Sequence, residues 1–328
     1  MRVFINGFGR IGRSVLRAWA EAPDRWPGLE ITGVNDIEAP EMLAYLFEYD
    51  SVFGPWRGTV SLEDAALVVN GRRIALHRVP DISSLDLTGV DLVMECTGRA
   101  ESAEIAGQGL AAGAARVLIS GPSQAAEITV VLGANDAALN GQKIVSNASC
   151  TTNALAPLAR LLDAEFGIVT GSMTTVHCYT GSQPTVDKPR GPMERSRAAA
   201  LSMVPTTTSA GRLMEEVLPD LAGRLVAQAV RVPTASVSAV DLAVTVARPA
   251  TVDAVNALLR KAATLPGAVI GVTERPLVST DLRARPESVV MALPETRATT
   301  HGLIRVFGWY DNEWGFSNRM LDMSLQMH

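Results

Sequence analysis

The segment Gly7-Phe8-Gly9-Arg10-Ile11-Gly12 does more than any other to limit what this chain can fold into. It follows a short apolar run, Arg2 to Asn6, that reads as a β-strand, and it precedes a helical pattern from Ser14 through Ala20. Glycines at this spacing, between a strand and a helix, allow a tight turn, close approach of backbone to a pyrophosphate, and close packing of helix on strand. The helix N-terminus then faces the anion. A glycine-rich turn that binds nothing is the competing explanation, and the next strand bears on it. Leu29 to Val34 reads as a second strand ending in Asn35-Asp36, and Asp36 stands 24 residues past Gly12 (36 − 12). An acid about 20 residues beyond the glycines is where a dinucleotide site holds an adenosine ribose 2′-hydroxyl. A carboxylate there repels a 2′-phosphate, so the expected cofactor is NAD rather than NADP.

The rest of the first half fits a doubly wound α/β unit of about 150 residues. Val68 to Leu76 alternates around Gly71 as a hairpin would. Val90 to Cys96 and Arg116 to Ser120 read as parallel-sheet strands separated by the Ala/Gly-rich helix Ser102 to Ala112, and Val130-Val131-Leu132 and Lys143-Ile144-Val145 complete the unit. Thr97 and Ser120 fall at the carboxyl ends of strands, where open α/β sheets bind ligands.

Beyond residue 150 the texture changes. Ser172 to Thr180, Val226 to Val246 (with Pro233 at a bulge or edge) and Leu303 to Tyr310 alternate, which suggests an antiparallel or mixed sheet with one face on a core. Thr180 to Arg197 is a polar stretch containing Pro184, Pro189 and Pro192, and a loop of that length inside a compact domain is usually functional or held in an interface. The 328 residues exceed the roughly 250–300 at which single cores stop growing. Two domains are therefore expected: a dinucleotide-binding domain over 1–149 and an α+β catalytic domain over 150–313. An amphipathic helix over 314–328 is expected to return to the first.

Composition excludes several classes. A formal net charge of −5 with no basic block argues against a nucleic-acid partner. No apolar run approaches the ~18 residues that span a bilayer, and the strand beginning at Arg2 leaves no room for a signal peptide. A cytoplasmic protein with no membrane partner is expected. Cys96, Cys150 and Cys178 are too few and wrongly spaced for a disulfide framework or a zinc site. Cys96 lies in an apolar run and reads as a small core residue.

Cys150 is different. Ser146-Asn147-Ala148-Ser149-Cys150-Thr151-Thr152-Asn153 joins a strand-like run to a helix-like run, which puts the thiol near a helix start. Unpaired amides and the positive end of the helix dipole favour the nucleophilic thiolate there. Pro157 either kinks that helix or sits harmlessly in a first turn that begins later. His177, on a strand-like segment, is the best-placed base among four histidines, although a histidine in such a position is often purely structural. Cys178 should face the other way and pack. Thr206-Thr207-Thr208-Ser209 and Arg231 offer hydroxyls and a guanidinium fork, the chemistry of a phosphate site, or else a surface arginine and a threonine-rich turn.

Five segments taken in order decide among these options. Asn6 to Arg13, Ser146 to Asn153, His177-Cys178-Tyr179-Thr180, Arg231-Val232-Pro233 and Trp309 to Glu313 together resemble phosphorylating glyceraldehyde-3-phosphate dehydrogenase, over essentially the whole chain. The resemblance implies a Rossmann-type first domain with NAD, Cys150 as nucleophile and His177 as base. It further implies cofactor contacts at Gly7, Gly9, Arg10, Ile11, Gly12 and Asp36, and Asn312 on the nicotinamide amide. Thr180 and Arg231 match the site for the phosphate of a sugar-phosphate substrate. Ser149, Thr151 and Thr208, with Ser209 beside them, match the site for inorganic phosphate. The proline-rich stretch matches a loop that packs on a neighbouring subunit in a homotetramer. Four departures stand out: Ser209 for a usual Gly, Phe53 for a His, Gln124 for a Lys, and Asn135-Asp136 for Asn-His. The tail from Trp309 to Asp322 also resembles erythrose-4-phosphate dehydrogenase, which hydrolyses the thioester, but retained Thr180 and Thr208 favour the phosphorylating branch. A non-catalytic NAD-binding protein is a third option, and it would have no reason to keep Cys150, His177 and Arg231 together.

Overall fold

The computed structural model describes residues 1–327, so the returning-helix expectation is covered except for His328, which lies outside the described residues. The chain forms two compact units, one comprising Met1–Val130, Asp136–Ala148 and the residues from Ser317 onward, the other Val131–Asn135 and Ser149–Phe316.

The first unit contains β1 (Arg2–Asn6), α1 (Arg10–Glu21), β2 (Glu30–Asn35), α2 (Pro40–Glu48), β3 (Val60–Glu63), β4 (Ala66–Val69), β5 (Arg72–His77), β6 (Leu92–Glu95), α3 (Ala103–Ala111), β7 (Arg116–Ile119), β8 (Ile128–Thr129) and β9 (Ile144–Ser146). They build a nine-stranded sheet in the order β3-β4-β5-β2-β1-β6-β7-β9-β8. From β5 to β8 every neighbouring pair is parallel, and β3 and β4 extend the edge as an antiparallel hairpin. The chain winds outward from β1 through β2, then crosses back to β6. The carboxyl ends of β1 and β6 therefore flank the topological switch point, the usual ligand crevice of such sheets. β6 is buried along its whole length, as befits a strand covered on both faces. The expected strand at Val130-Val131-Leu132 is corrected: pairing ends at Thr129. Val130 and Val131 are fully buried, but Asn135 Oδ1 captures the Val131 amide at 2.8 Å and Gly133 turns the chain at φ +80°. A short apolar run signals burial without specifying strand.

The second unit holds α4 (Cys150–Phe166), β10 (Ile168–Cys178), β11 (Val204–Thr206), α5 (Ala210–Val217), β12 (Leu225–Val232), β13 (Ser238–Val246), α6 (Val252–Ala263), β14 (Ile270–Thr273), β15 (Val289–Ala292), β16 (Arg297–Ala298) and β17 (Leu303–Tyr310), and α7 (Trp314–Gln326) begins in it. Its sheet is mixed, in the order β11-β12-β10-β13-β17-β15-β14, with β16 on β17. β13 and β17 alternate buried with half-buried residues, so one face rests on the core. The stretch from Val226 to Val246 is two strands, not one. Pro233 ends β12, and both resulting strands flank β10, β12 parallel to it and β13 antiparallel. Pro157 lies in the interior of α4, which settles the alternative of a harmless first-turn proline against it.

Candidate active site

In the first unit the three motif glycines do three different things. Gly7 adopts φ +92°, and a Cβ on it would stand 2.6 Å from the Thr97 amide nitrogen. A Cβ on Gly12 would meet the Gly7 carbonyl oxygen at 2.1 Å, so helix and strand could not close. A Cβ on Gly9 would meet nothing within 4 Å, because that backbone faces open space. The space is a cavity along the carboxyl ends of β1, β2 and β6, walled by Asn6, Gly7, Gly9, Asn35, Asp36, Cys96 and Thr97 among others. Asp36 is held at its rim, Oδ2 accepting from Phe8 N at 2.7 Å and Oδ1 from Glu38 N at 3.1 Å. A backbone open to an anion, with a carboxylate at the adenosine end, fits a dinucleotide lacking a 2′-phosphate.

Of the other expected cofactor residues, Arg10 pairs with Asp50 and its guanidinium lies over the Phe53 ring, while Ile11, Gly12 and Ser120 are not part of the cavity wall. Cys96 corrects its expectation as a core residue. It is half-buried on the cavity wall, and burial pushes its thiol up to about 12, away from the thiolate.

In the second unit Ser149 caps α4. It is extended (φ −113°, ψ 161°), and its Oγ accepts from Thr152 N at 3.1 Å. Cys150 is thus the first helical residue. Its Sγ lies 3.6 Å from His177 Nε2. The histidine comes from β10, whose parallel partner β12 places Arg231 beside it in register. His177 Nδ1 is 2.7 Å from the Cys178 carbonyl oxygen and 2.9 Å from Arg231 Nη1, which also donates to that oxygen at 3.0 Å. We assign the Nδ1–H tautomer, which satisfies the shorter contact and aims the Nε2 lone pair at the thiol. Burial and then the Arg231 charge push His177 down to about 4, so the ring is a neutral acceptor across the neutral range.

Burial also pushes the Cys150 thiol up, against the Arg231 charge and hydrogen bonds from Thr151, which favour the thiolate. The helix terminus therefore does not activate the thiol by itself. Desolvation outweighs it, and the thiol needs the base beside it.

Two further residues of this site are not singled out as functional by the sequence. Tyr310, buried on the inward face of β17, has its hydroxyl 2.9 Å from Thr151 Oγ1 and 2.8 Å from Thr175 Oγ1, and its ring meets His177 edge-on at 6.0 Å. Only its parity with buried Ile304 and Val306 points inward. Arg195, in the proline-rich loop, donates to Thr206 Oγ1 at 2.8 Å and to the Thr207 carbonyl at 2.9 Å, close enough to Arg231 for the two charges to repel. A lone arginine in a polar loop looks like any solvated one.

Thr208 Oγ1 accepts from Ala210 N at 3.2 Å, and Ser209 precedes α5 at φ −69°, a conformation any residue adopts, so replacing glycine there introduces no backbone strain. Thr180 shares a hydrogen bond of 2.9 Å with Ser182. Cys178 does more than pack: burial keeps its thiol protonated, pushed up to about 12, and it donates to Asn312 Oδ1 at 3.1 Å, as does Ser238 Oγ at 3.1 Å. With Oδ1 doubly engaged, Asn312 offers its amide N–H groups to a ligand.

A unit built to cradle a dinucleotide and a unit that sets a thiol against an imidazole and a guanidinium define a thiol-dependent, dinucleotide-linked oxidoreductase. Residues 1–103 match the family model described as glyceraldehyde 3-phosphate dehydrogenase, NAD binding domain, and residues 149–312 match its C-terminal domain. The whole chain is 45% identical to glyceraldehyde-3-phosphate dehydrogenase of Cereibacter sphaeroides, covering 98% of that protein. With the Kitasatospora aureofaciens protein of the same name it shares 47% identity over 98% of this chain and 97% of the relative. The chain belongs to the glyceraldehyde-3-phosphate dehydrogenase family, and its cofactor is NAD.

Proposed function

We propose that the protein oxidises D-glyceraldehyde 3-phosphate to 1,3-bisphosphoglycerate with NAD and inorganic phosphate. The observation that carries this reading is the Cys150 sulfur 3.6 Å from the acceptor nitrogen of a histidine backed by an arginine. His177 Nε2 takes the thiol proton as Sγ attacks the aldehyde carbon, and the resulting Nε2–H faces the new oxyanion and steadies it. Bound NAD supplies the acceptor for the hydride that leaves that carbon. The oxyanion then collapses to a thioester on Sγ. A phosphate oxygen attacks the acyl carbon, the C–S bond breaks, and the sulfur leaves as thiolate to be reprotonated from His177.

Arg231 and Thr180 hold the phosphate of the substrate. Ser149, Thr151, Thr208 and Ser209 hold the attacking phosphate, and Arg195 adds a second guanidinium near Arg231. The Tyr310 hydroxyl stands between Thr151 Oγ1 at 2.9 Å and Thr175 Oγ1 at 2.8 Å, which holds the Thr151 hydroxyl in place beside Cys150. The domain limits proposed are 1–149 for NAD binding and 150–313 for catalysis. Exposed Val186, Met193, Leu201 and Met203 in and just after the proline-rich loop support a homotetramer in which a neighbour covers them. Three free cysteines suit a reducing, cytoplasmic setting, and no helix among the described residues is long and apolar enough to cross a membrane.

Steady-state NADH formation tests the assignment. Turnover of glyceraldehyde 3-phosphate should depend on added phosphate and exceed that of erythrose 4-phosphate in kcat/KM. Phosphate-independent turnover, or a strong preference for the four-carbon sugar, would contradict it. NADP should be poorer than NAD by ~10²-fold or more, since a like charge facing Asp36 costs several kcal/mol, and Asp36→Asn should narrow that gap.

A further inference from the structure

Beneath the glycine loop runs a buried chain of side chains that the chemistry above does not use. Asn35, Asn6 and Glu95 stand side by side at the carboxyl ends of β2, β1 and β6, exposed by only 4%, 4% and 2%. Val79 N donates to Asn35 Oδ1 at 2.9 Å, and Asn35 Nδ2 donates to the Val79 carbonyl at 3.0 Å and to Asn6 Oδ1 at 2.8 Å. Asn6 Nδ2 then donates to Glu95 Oε2 at 2.6 Å. Glu95 Oε1 accepts from Thr97 N at 2.8 Å and from the Thr97 hydroxyl. The backbone follows the same line, Gly7 N donating to Asn35 O at 2.8 Å and Cys96 N to Asn6 O at 2.7 Å. From Asn35 to Asn6 and from Asn6 to Glu95, the bonds between side chains point toward Glu95. Neither amide can be reversed: turning Asn35 loses both Val79 bonds, and turning Asn6 sets two donor nitrogens face to face.

We propose that Glu95 is a positioning residue of the dinucleotide site, its acceptor-only carboxylate fixing the polarity of the Asn35–Asn6 chain and thereby the spacing of the glycine loop from the Thr97 turn. That spacing is tight, because the Gly7 α-carbon packs on the peptide between Cys96 and Thr97. Gly7, Asn6 and Thr97 all line the cofactor cavity, so a shift beneath them moves its wall. The inference rests on NAD as the ligand of that cavity.

Glu95→Gln tests it. The shape survives, but whichever way the new amide turns, its nitrogen faces a donor, either Asn6 Nδ2 or the Thr97 N–H. The dissociation constant for NAD, followed by quenching of tryptophan fluorescence, should rise about tenfold or more, and KM for NAD with it. At saturating NAD, kcat should stay within about threefold of the parent. The double variant Glu95→Gln/Asn6→Asp moves the acceptor-only carboxylate to position 6 instead of removing it. The carboxylate at position 6 accepts from Asn35 on one side and from the amide at position 95 on the other, so NAD affinity should return to within about threefold of the parent.

A merely structural role would lower the thermal midpoint of Glu95→Gln and leave the affinity of its folded fraction unchanged, which would overturn the proposal. So would a double variant that binds no better than Glu95→Gln, or one that fails to fold. Should Glu95→Gln alone fail to fold, the affinity of the double variant decides by the same threefold and tenfold marks. Absence of NAD binding by the parent would instead refute the reading of the cavity itself.

Discussion

Replacing Cys150 with alanine should lower kcat by ~10⁴-fold or more while NAD still binds with the parent's affinity. The two halves of that expectation come from different units. The dinucleotide cavity is walled by residues of the first unit alone, and residue 150 is not among them. Carbon–sulfur bond formation, by contrast, has no substitute nucleophile beside His177. Cys178 lies next in sequence, but its thiol is buried, protonated and committed to Asn312, and it sits on the far side of the strand. Fold should be unaffected, because Ser149 still caps α4 and alanine is a better helix former than cysteine. Activity above ~1% of the parent would mean that the sulfur at position 150 is not the nucleophile.

The next largest effect belongs to His177→Asn, for which kcat/KM should fall by ~10²–10⁴-fold. The sign of its pH dependence follows from the two shifts at the site. The imidazole, pushed down to about 4, is neutral and able to accept a proton from mildly acidic pH upward. The thiol, raised by burial, gives up its proton reluctantly to solvent. With the histidine in place the proton moves 3.6 Å to Nε2; without it, ionisation must wait for bulk alkalinity. The rate of Cys150 alkylation by iodoacetamide in His177→Asn should therefore climb only at higher pH than in the parent. Superimposable profiles would show that the histidine does not take this proton.

What was legible in the sequence was chemistry written locally. The glycine spacing, Asp36 after a second strand, and a cysteine between a strand-like and a helix-like run are each defined within a few dozen residues, and backbone geometry does the rest. Groups that act through side-chain contacts across long separations were not legible. Tyr310 reaches Thr151 from 159 positions away, and Glu95 reaches Asn6 from 89. No periodicity encodes such meetings, because they depend on which strands become neighbours. Arg195 was hidden for another reason: its loop offers no strand or long helix from which to read a direction. The errors of element assignment share one cause, since the apolar run at Val130 and the long alternation through Pro233 report burial and parity correctly but say nothing about where hydrogen bonding stops. Competition between desolvation and the helix terminus at Cys150 was likewise invisible, because it depends on how much protein surrounds the sulfur.

Covalent passage through Cys150 is the step on which everything else rests, and one single-turnover measurement addresses it directly. Enzyme mixed with glyceraldehyde 3-phosphate and NAD in the absence of phosphate should release close to one NADH per active subunit and then stall, with the 3-phosphoglyceroyl group found by mass spectrometry on the peptide that carries Cys150. Adding phosphate should discharge that group and restart turnover. A burst with the acyl group on another residue, or continued NADH formation with no acylated peptide at all, would contradict it.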